Sequence, residues 1–119
     1  MFNVIRPVEA PAALARGEYN THEVVKVLNN MFFGKCYLCE RGSIEDVEVE
    51  HFEPHMGDEA LKFDWHNLFY SCSRCNGIKS SKHKNLLDCT DENIDVFRAI
   101  RLRMPSLPDD NIIVEATDS

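Results

Sequence analysis

The sequence has no long apolar run and no excess of positive charge. No stretch approaches the roughly 20 residues that span a membrane, and residues 1–10 lack the basic start and apolar block of a secretory signal, so we expect a cytoplasmic protein. The 13 basic and 20 acidic residues give a net charge of −7, which argues against a protein that coats DNA nonspecifically. With 119 residues and an apolar share of 44%, the chain suits one compact domain.

The charge is unevenly distributed along this domain. The N-terminal arm and helix (1–34) carry three basic and three acidic residues, the core (35–85) carries seven and nine, and the C-terminal extension (86–119) carries three and eight. Four basic residues of the core follow one another with no acidic residue between them: Arg74, Lys79, Lys82 and Lys84. We expect a phosphate backbone to bind at this basic stretch, residues 74–84.

The odd number of cysteines argues against a pure disulfide framework. Four of the five form two Cys-x-x-Cys pairs with 32 residues between them: Cys36, Cys39, Cys72 and Cys75. Because two-residue gaps let both thiolates of a pair reach one tetrahedral Zn²⁺, the spacing predicts a structural zinc bound by four sulfurs. A redox pair is the competing interpretation, but neither pair has a clear thioredoxin-like βαβ context. We expect Cys89 to be a small buried or partly exposed thiol.

The flanking segments predict helix at one end and hairpin at the other. Residues 1–17 predict an irregular arm with one helical turn. From Thr21, a plausible N-cap, apolar residues recur at helical spacing until Gly34, which predicts a helix packed on the zinc module. Alternating apolar and basic residues over 100–104, a Pro-rich turn and a second apolar run over 112–114 predict a C-terminal hairpin. The sequence contains no internal repeat or second domain.

The segment that contains the cysteine pairs predicts strand, loop, strand and helix in that order. Residues 47–52 alternate in character and precede Pro54, which predicts a short strand. Residues 68–70 predict a second short strand, and a basic helix follows the second cysteine pair to about Lys82. We expect Trp65 and the aromatic residues of the second strand to belong to the core. The predicted fold class is therefore α+β.

This module resembles the HNH endonuclease superfamily. The resemblance covers roughly residues 35–85 and rests on three ordered elements: Val49-Glu50-His51-Phe52-Glu53-Pro54, Trp65-His66-Asn67-Leu68 and Cys75-Asn76-Gly77-Ile78-Lys79. More narrowly, the runs CYLCE, VEHFEP, DWHNL, SCSRCN and KNLLDCTDEN are similar to the HNH proteins that are paired with ATPases in Septu-type and retron-linked antiphage systems. The resemblance implies a small zinc-stapled ββα-metal (His-Me finger) domain, cleavage of DNA and an ATPase partner.

The residue types at these positions suit phosphodiester hydrolysis. Cleavage needs a base to activate water and a cation to neutralise the charge that develops on the phosphate. With an ordinary pKa of ~6.5, His51 can take a proton at neutral pH. The resemblance implies that Glu50 is a metal ligand, that Asn67 steadies the loop and orients the base, and that Asn76 occupies the last metal-ligand position.

Two departures from the family pattern affect the predicted cation. Glu50 replaces the usual Asp, which lengthens the reach by one methylene, and Asn76 replaces the last His, which makes the ligand set all oxygen. Because hard oxygen ligands favour Mg²⁺ or Mn²⁺, we expect Mg²⁺ as the cofactor for chemistry. Neighbouring residues such as Glu50 and His51 point to opposite sides of a regular strand. For both to serve one site, we therefore expect a local twist or bend in this strand, caused by the two Cys-x-x-Cys pairs and the following loop.

The basic stretch supplies the predicted substrate contacts. Lys79 comes three positions after Asn76, so it projects from the same helical face and could hold a phosphate, together with Arg74 and Lys82. The alternative for Lys79 is a solvated surface lysine.

The histidines allow more than one interpretation. His51 could be a structural histidine whose ring is satisfied by hydrogen bonds. We expect His55 and His66 to be loop or packing residues, although His55 could contact DNA. His83, seven positions after Asn76, is a second candidate for the last metal ligand.

Three functions follow, in decreasing order of support. The first is a metal-dependent DNA endonuclease of an antiphage defence system that acts with an ATPase. The second is a standalone HNH nuclease of the restriction or homing type. The third is a noncatalytic zinc-binding adaptor, which would have no physical need for a base beside a metal site. The sequence does not decide whether the substrate is DNA or RNA, and it does not give the sequence specificity or the oligomeric state.

Overall fold

The computed structural model describes residues 1–80, 86–103 and 113–116. These described residues form a small α+β structure with two two-stranded antiparallel sheets. No helix in this part of the chain is long and apolar enough to cross a membrane. The elements in chain order are α1 (Ala12–Ala15), α2 (His22–Met31), β1 (Val47–His51), α3 (Glu59–Lys62), a 3₁₀ turn (Trp65–Asn67), β2 (Leu68–Cys72), α4 (Ser73–Lys79), α5 (Val96–Ala99), β3 (Ile100–Arg103) and β4 (Ile113–Ala116).

Helix α2 begins and ends where its sequence signals predict. The Thr21 hydroxyl caps it by accepting a hydrogen bond from the Val24 amide at 3.3 Å. The chain leaves the helix through Gly34, whose φ of 71° lies in the left-handed region that glycine adopts without strain. The buried face of α2 carries Val24, Leu28 and Met31, so the predicted apolar stripe packs against the core.

Strands β1 and β2 form the sheet that carries the site. Their antiparallel register runs unbroken from Val47 opposite Cys72 to His51 opposite Leu68. This register contains no bulge, and the local twist or bend that we expected in β1 stays a prediction. The strand simply ends at His51, and the Phe52 amide still donates to the Asn67 carbonyl at 2.9 Å.

The two cysteine pairs lie at turns beside this sheet. In the first pair, the Glu40 amide donates to the Cys36 carbonyl at 2.9 Å, and the Tyr37 amide donates to the Tyr70 carbonyl of β2 at 3.0 Å. In the second pair, Cys72 is the N-cap of α4, and its Sγ accepts from the Cys75 amide at 3.5 Å. Each turn is thus tied to β2 or continuous with it.

The core fills the space between α2, the first cysteine turn and β2. Aromatic rings dominate it: the Tyr37 and Phe69 ring centroids lie 4.8 Å apart, and those of Phe32 and Phe69 lie 5.7 Å apart. Trp65 is buried as predicted, and its indole nitrogen donates to the Pro7 carbonyl, which holds the N-terminal arm against the core. The Cys89 thiol is also buried. The contacts of the Tyr37 and Phe32 rings with the Phe69 ring contribute about 0.5–1.5 kcal/mol each beyond simple burial.

The two strands of the predicted C-terminal hairpin are present as β3 and β4. They pair antiparallel, with Ile100 opposite Ala116 and Arg103 opposite Ile113. The predicted hairpin residues Met104 and Ile112 lie outside the described residues, as do Lys82 and His83.

The four paired cysteines converge on one point. The ligand atoms of Cys36, Cys39, Cys72 and Cys75 all lie within 4.8 Å of one another, so these residues could hold a structural zinc. Burial tends to raise the pKa of the Cys36 thiol, but hydrogen bonds from nearby backbone amides outweigh it and lower the pKa to about 7. Burial raises the pKa of the Cys75 thiol. A divalent cation would offset the repulsion of four thiolates held this close.

Loss of one zinc ligand should unfold the module. We predict one tightly bound Zn²⁺ per chain, and loss of zinc and of cooperative unfolding in Cys36→Ser and Cys75→Ser, because structural zinc contributes on the order of 10 kcal/mol to folding. Elemental analysis and thermal denaturation measure both. Cys89→Ala is the matched control, since it removes a buried thiol outside the cluster and should keep the zinc at a cost of ~1 kcal/mol. A metal-free preparation with an unchanged melting profile would contradict this prediction.

Candidate functional site

An open cleft of about 610 Å³ lies beside β1. It brings together three of the residues predicted from the sequence to take part in catalysis, namely Glu50, His51 and Asn76. Its walls come from the segment before α2, from β1, from the loop that follows β1 and from α4. The lining residues are Tyr19, Asn20, Val47, Glu48, Val49, Glu50, His51, Pro54, His55, Met56, Asn76 and Ser80.

His51 is half-buried at the end of β1, with one ring nitrogen already engaged. Its Nε2 lies 3.0 Å from the carbonyl oxygen of Lys62. Because a carbonyl only accepts, Nε2 carries the hydrogen, and in the neutral ring Nδ1 keeps its lone pair. Burial lowers the pKa of His51 below its ordinary 6.5. The hydrogen bond to the Lys62 carbonyl opposes this shift, but the nearby charges of His55 and Lys62 add to it. The ring is therefore neutral at pH 7 and able to take a proton at Nδ1.

Glu50 and Lys79 form a buried ion pair. The Lys79 Nζ lies 2.7 Å from Glu50 Oε1, and the two side chains are only 3% and 2% exposed. The same ammonium donates to the carbonyls of His51 at 3.1 Å and Phe52 at 2.9 Å, so all three of its hydrogens are used. Lys79 was expected at the surface, either holding a phosphate or solvated. Both expectations were wrong, because Lys79 turns inward to neutralise Glu50.

The second oxygen of Glu50 has no such partner. Oε2 is buried and accepts no hydrogen bond from the described residues. The Tyr37 hydroxyl is near enough to lower the pKa of Glu50, although no hydrogen bond of ordinary geometry joins the two groups. Burial is the stronger influence, and it raises the pKa of Glu50 above its ordinary 4.5. A cation at Oε2 would satisfy this oxygen and stabilise the ionised carboxylate.

Asn76 faces a carboxylate that the sequence motif does not include. Its Nδ2 lies 3.4 Å from Glu48 Oε1, and both residues line the cleft. Glu48 and Glu50 are two apart on a strand and so share a face. That spacing was visible in the sequence, but the motif drew attention to Glu50 alone.

Asn67 lies outside the cleft and holds together the loop beside it. It is buried, and its Oδ1 accepts from the Glu53 amide at 2.7 Å. Its Nδ2 donates to the carbonyls of Glu53 at 2.9 Å and Leu61 at 3.1 Å. These bonds join the two ends of the segment that supplies the Lys62 carbonyl to His51.

The remaining predicted contacts are dispersed. Arg74 is exposed on α4 and does not line the cleft, whereas Lys82 and the second candidate ligand, His83, lie outside the described residues. His66 is exposed away from the cleft, but His55 lines it, with its ring centroid 4.7 Å from that of His51. Their roles in binding remain predictions.

Part of the chain is similar to two curated proteins. One is the Septu protein PtuB of Bacillus mycoides (strain KBAB4), with 37% identity over an alignment of 75 residues. The match covers 49% of this chain and 25% of that protein. The other is the Septu protein PtuB of Bacillus thuringiensis, 42% identical over 57 residues, which cover 45% of this chain and 22% of that protein. The chain thus spans about a quarter of the length of these relatives. No family model and no solved structure matches it.

Proposed function

We propose that this chain is a metal-dependent endonuclease of the HNH type, which cuts DNA as the effector of an antiphage defence system. The observation that carries the proposal is the content of one cleft. It holds the imidazole of His51, whose Nε2 is fixed, and a buried carboxylate, Glu50, with one oxygen that has no hydrogen-bond partner among the described residues. The similarity to the Septu proteins supports the defence role.

His51 would act as the general base. Its Nδ1 is the nitrogen that can accept a proton from water, since Nε2 donates to Lys62. The lowered pKa keeps this nitrogen unprotonated at neutral pH. When Nδ1 takes the proton, the imidazolium is stabilised by the same Lys62 carbonyl, which strengthens its hydrogen bond to a charged donor.

Glu50 and Asn76 would hold the divalent cation. Glu50 offers the buried oxygen to which no described residue donates, Asn76 offers an amide oxygen, and Glu48 lies beside Asn76. When bound there, Mg²⁺ or Mn²⁺ supplies charge neutralisation at the phosphate and the leaving oxygen. Among the described residues only the four cysteines form a cluster of three or more His, Cys, Asp or Glu ligands. The few protein oxygens in the cleft suit Mg²⁺, which keeps several waters and takes substrate phosphate as a ligand.

Asn67 would support the base indirectly. Its three hydrogen bonds close the loop from Glu53 to Leu61, and the Lys62 carbonyl that engages His51 follows directly. This makes Asn67 a positioning residue for the catalytic ring.

A noncatalytic zinc-binding adaptor is the second candidate, and one observation favours it. Glu50 already has a cationic partner in Lys79, so its charge is balanced without a metal. An adaptor role does not explain why Oε2 has no partner in the described part of the chain, or why the pKa of the neighbouring His51 is lowered. The two candidates differ in whether the protein cuts a nucleic acid when a divalent cation is added.

Cleavage should require both His51 and a divalent cation. Purified protein incubated with supercoiled plasmid at low ionic strength should nick it with Mg²⁺ or Mn²⁺ and stop when EDTA is added. His51→Ala should lower the rate by about 10²–10⁴-fold, the usual contribution of a general base. Gel analysis of plasmid topology measures the rate, and His66→Ala, an exposed histidine outside the cleft, should cut as the wild type does.

Zinc content and melting temperature should stay constant across these variants. Wild-type cleavage by His51→Ala, in a preparation shown to be free of contaminating nuclease, would remove His51 as the base. Cleavage that survives EDTA would remove the divalent cation from the reaction.

Binding to DNA by the isolated chain should be weak and sensitive to salt. Of the basic stretch, Lys79 is buried and Arg74 is exposed, and the C-terminal third is net acidic. With about three phosphate contacts, affinity should fall roughly 40-fold between about 50 and 200 mM salt. The family resemblance implies an ATPase partner, which would supply the missing contacts and raise cleavage. Fluorescence anisotropy across a salt series measures the binding, and nicking assays with and without a co-purified ATPase measure the effect of the partner on cleavage. Tight, salt-resistant binding and fast cutting by the chain alone would favour a standalone nuclease.

A further inference from the structure

The catalytic imidazole has a neighbour that lies outside the motif. The ring centroids of Tyr19 and His51 are 4.7 Å apart and the ring planes meet at 73°, an edge-on contact of the kind that aromatic rings prefer. Tyr19 lies between α1 and α2, in the N-terminal segment, and lines the same cleft as His51. The HNH-like elements begin only at the first cysteine pair, so the resemblance assigns no role to Tyr19.

One hydrogen bond does not hold an imidazole in a single orientation. The bond from Nε2 to the Lys62 carbonyl fixes one edge of the His51 ring, but the ring can still pivot about that contact. A base must keep Nδ1 aimed at the attacking water, since a displacement of about 1 Å can cost roughly 100-fold in rate. Packing against the ring is what removes this remaining freedom.

Tyr19 packs against the donor of that hydrogen bond and lies near side chains of the segment that supplies the acceptor. Its ring contacts His51 directly, lies 6.2 Å from the Phe63 ring, and has the Lys62 Nζ 6.0 Å from its centroid. It therefore contacts the base and lies beside the segment that supplies the acceptor for Nε2. His55 places a second ring 4.7 Å from that of His51. His55, however, lies in the loop that directly follows β1, only four residues after His51, whereas Tyr19 belongs to a separate segment of the chain.

We propose that Tyr19 is a positioning residue for His51, and that its aromatic ring, not its hydroxyl, does this. The inference rests on the proposed function in that His51 is the base. The N-terminal segment is then part of the active site. Tyr19 is only half-buried, so its replacement should leave the core and the zinc cluster intact.

Two substitutions separate the ring from the hydroxyl. Tyr19→Phe keeps the ring and should cut within roughly twofold of the wild type. Tyr19→Leu keeps apolar bulk but loses the ring edge, and should lower kcat by about 10-fold or more with KM changed by less than roughly twofold. Single-turnover and steady-state cleavage measure this split. Phe97→Leu is the matched control, because it makes the same change of ring to branched chain at a side chain that is 91% exposed.

A second readout does not depend on activity. In ¹⁵N NMR of the histidine rings at fixed pH, wild-type protein and Tyr19→Phe should show sharp His51 signals with the hydrogen on Nε2, and Tyr19→Leu should show broadened His51 signals, because the ring then samples more than one orientation. Wild-type kcat in Tyr19→Leu, or equal loss in Tyr19→Phe, would overturn the proposal, as would a change confined to KM. If the wild type cuts nothing, the proposed function fails, and unchanged His51 signals in Tyr19→Leu would overturn the positioning role separately.

Discussion

The candidate site depends on the buried ion pair between the Lys79 ammonium and Glu50. The ammonium lies 2.7 Å from Glu50 Oε1 and donates to the backbone carbonyls of His51 and Phe52, so one group ties α4 to the end of β1. Removing one partner of such a pair leaves an uncompensated buried charge and costs about 3–5 kcal/mol. The orientation of Glu50 and the point where β1 leaves the sheet are therefore set together.

Helix α4 is held at both ends, and the cleft residue Asn76 lies between. Cys72 and Cys75 fix its start within the cysteine cluster, and Lys79 fixes its end against β1. A seven-residue helix would have little stability alone, since isolated helices of this length are marginal in water. Anchoring at both ends gives the site the rigidity that a preorganised ligand needs, and it explains why a structural metal should matter to a cleft that does not contain it.

Local patterns were sufficient to predict the elements but not the direction in which side chains turn. The Thr21 cap and the alternation in β1 and β3 predicted real elements, because each depends on near neighbours in sequence. The spacing of Asn76 and Lys79 placed them on one helical face, but could not show that Lys79 lies inside the protein. Tyr19 was missed because its contact with His51 joins residues 32 apart, with no periodicity around Tyr19 to signal it. The cysteine pairs alone signalled a long-range contact.

Whether Glu50 and Asn76 hold a divalent cation is tested most directly by diffraction. Crystals of the zinc-loaded protein soaked in Mn²⁺ should give an anomalous peak in the cleft, ~2.1 Å from Glu50 Oε2 and the Asn76 amide oxygen, the distance expected of a hard cation. Data collected on both sides of the zinc edge separate this peak from the metal at the four cysteines. A cleft without Mn²⁺, in which Glu50 keeps Lys79 as its sole partner at saturating metal, would contradict a metal-dependent site there and favour the adaptor.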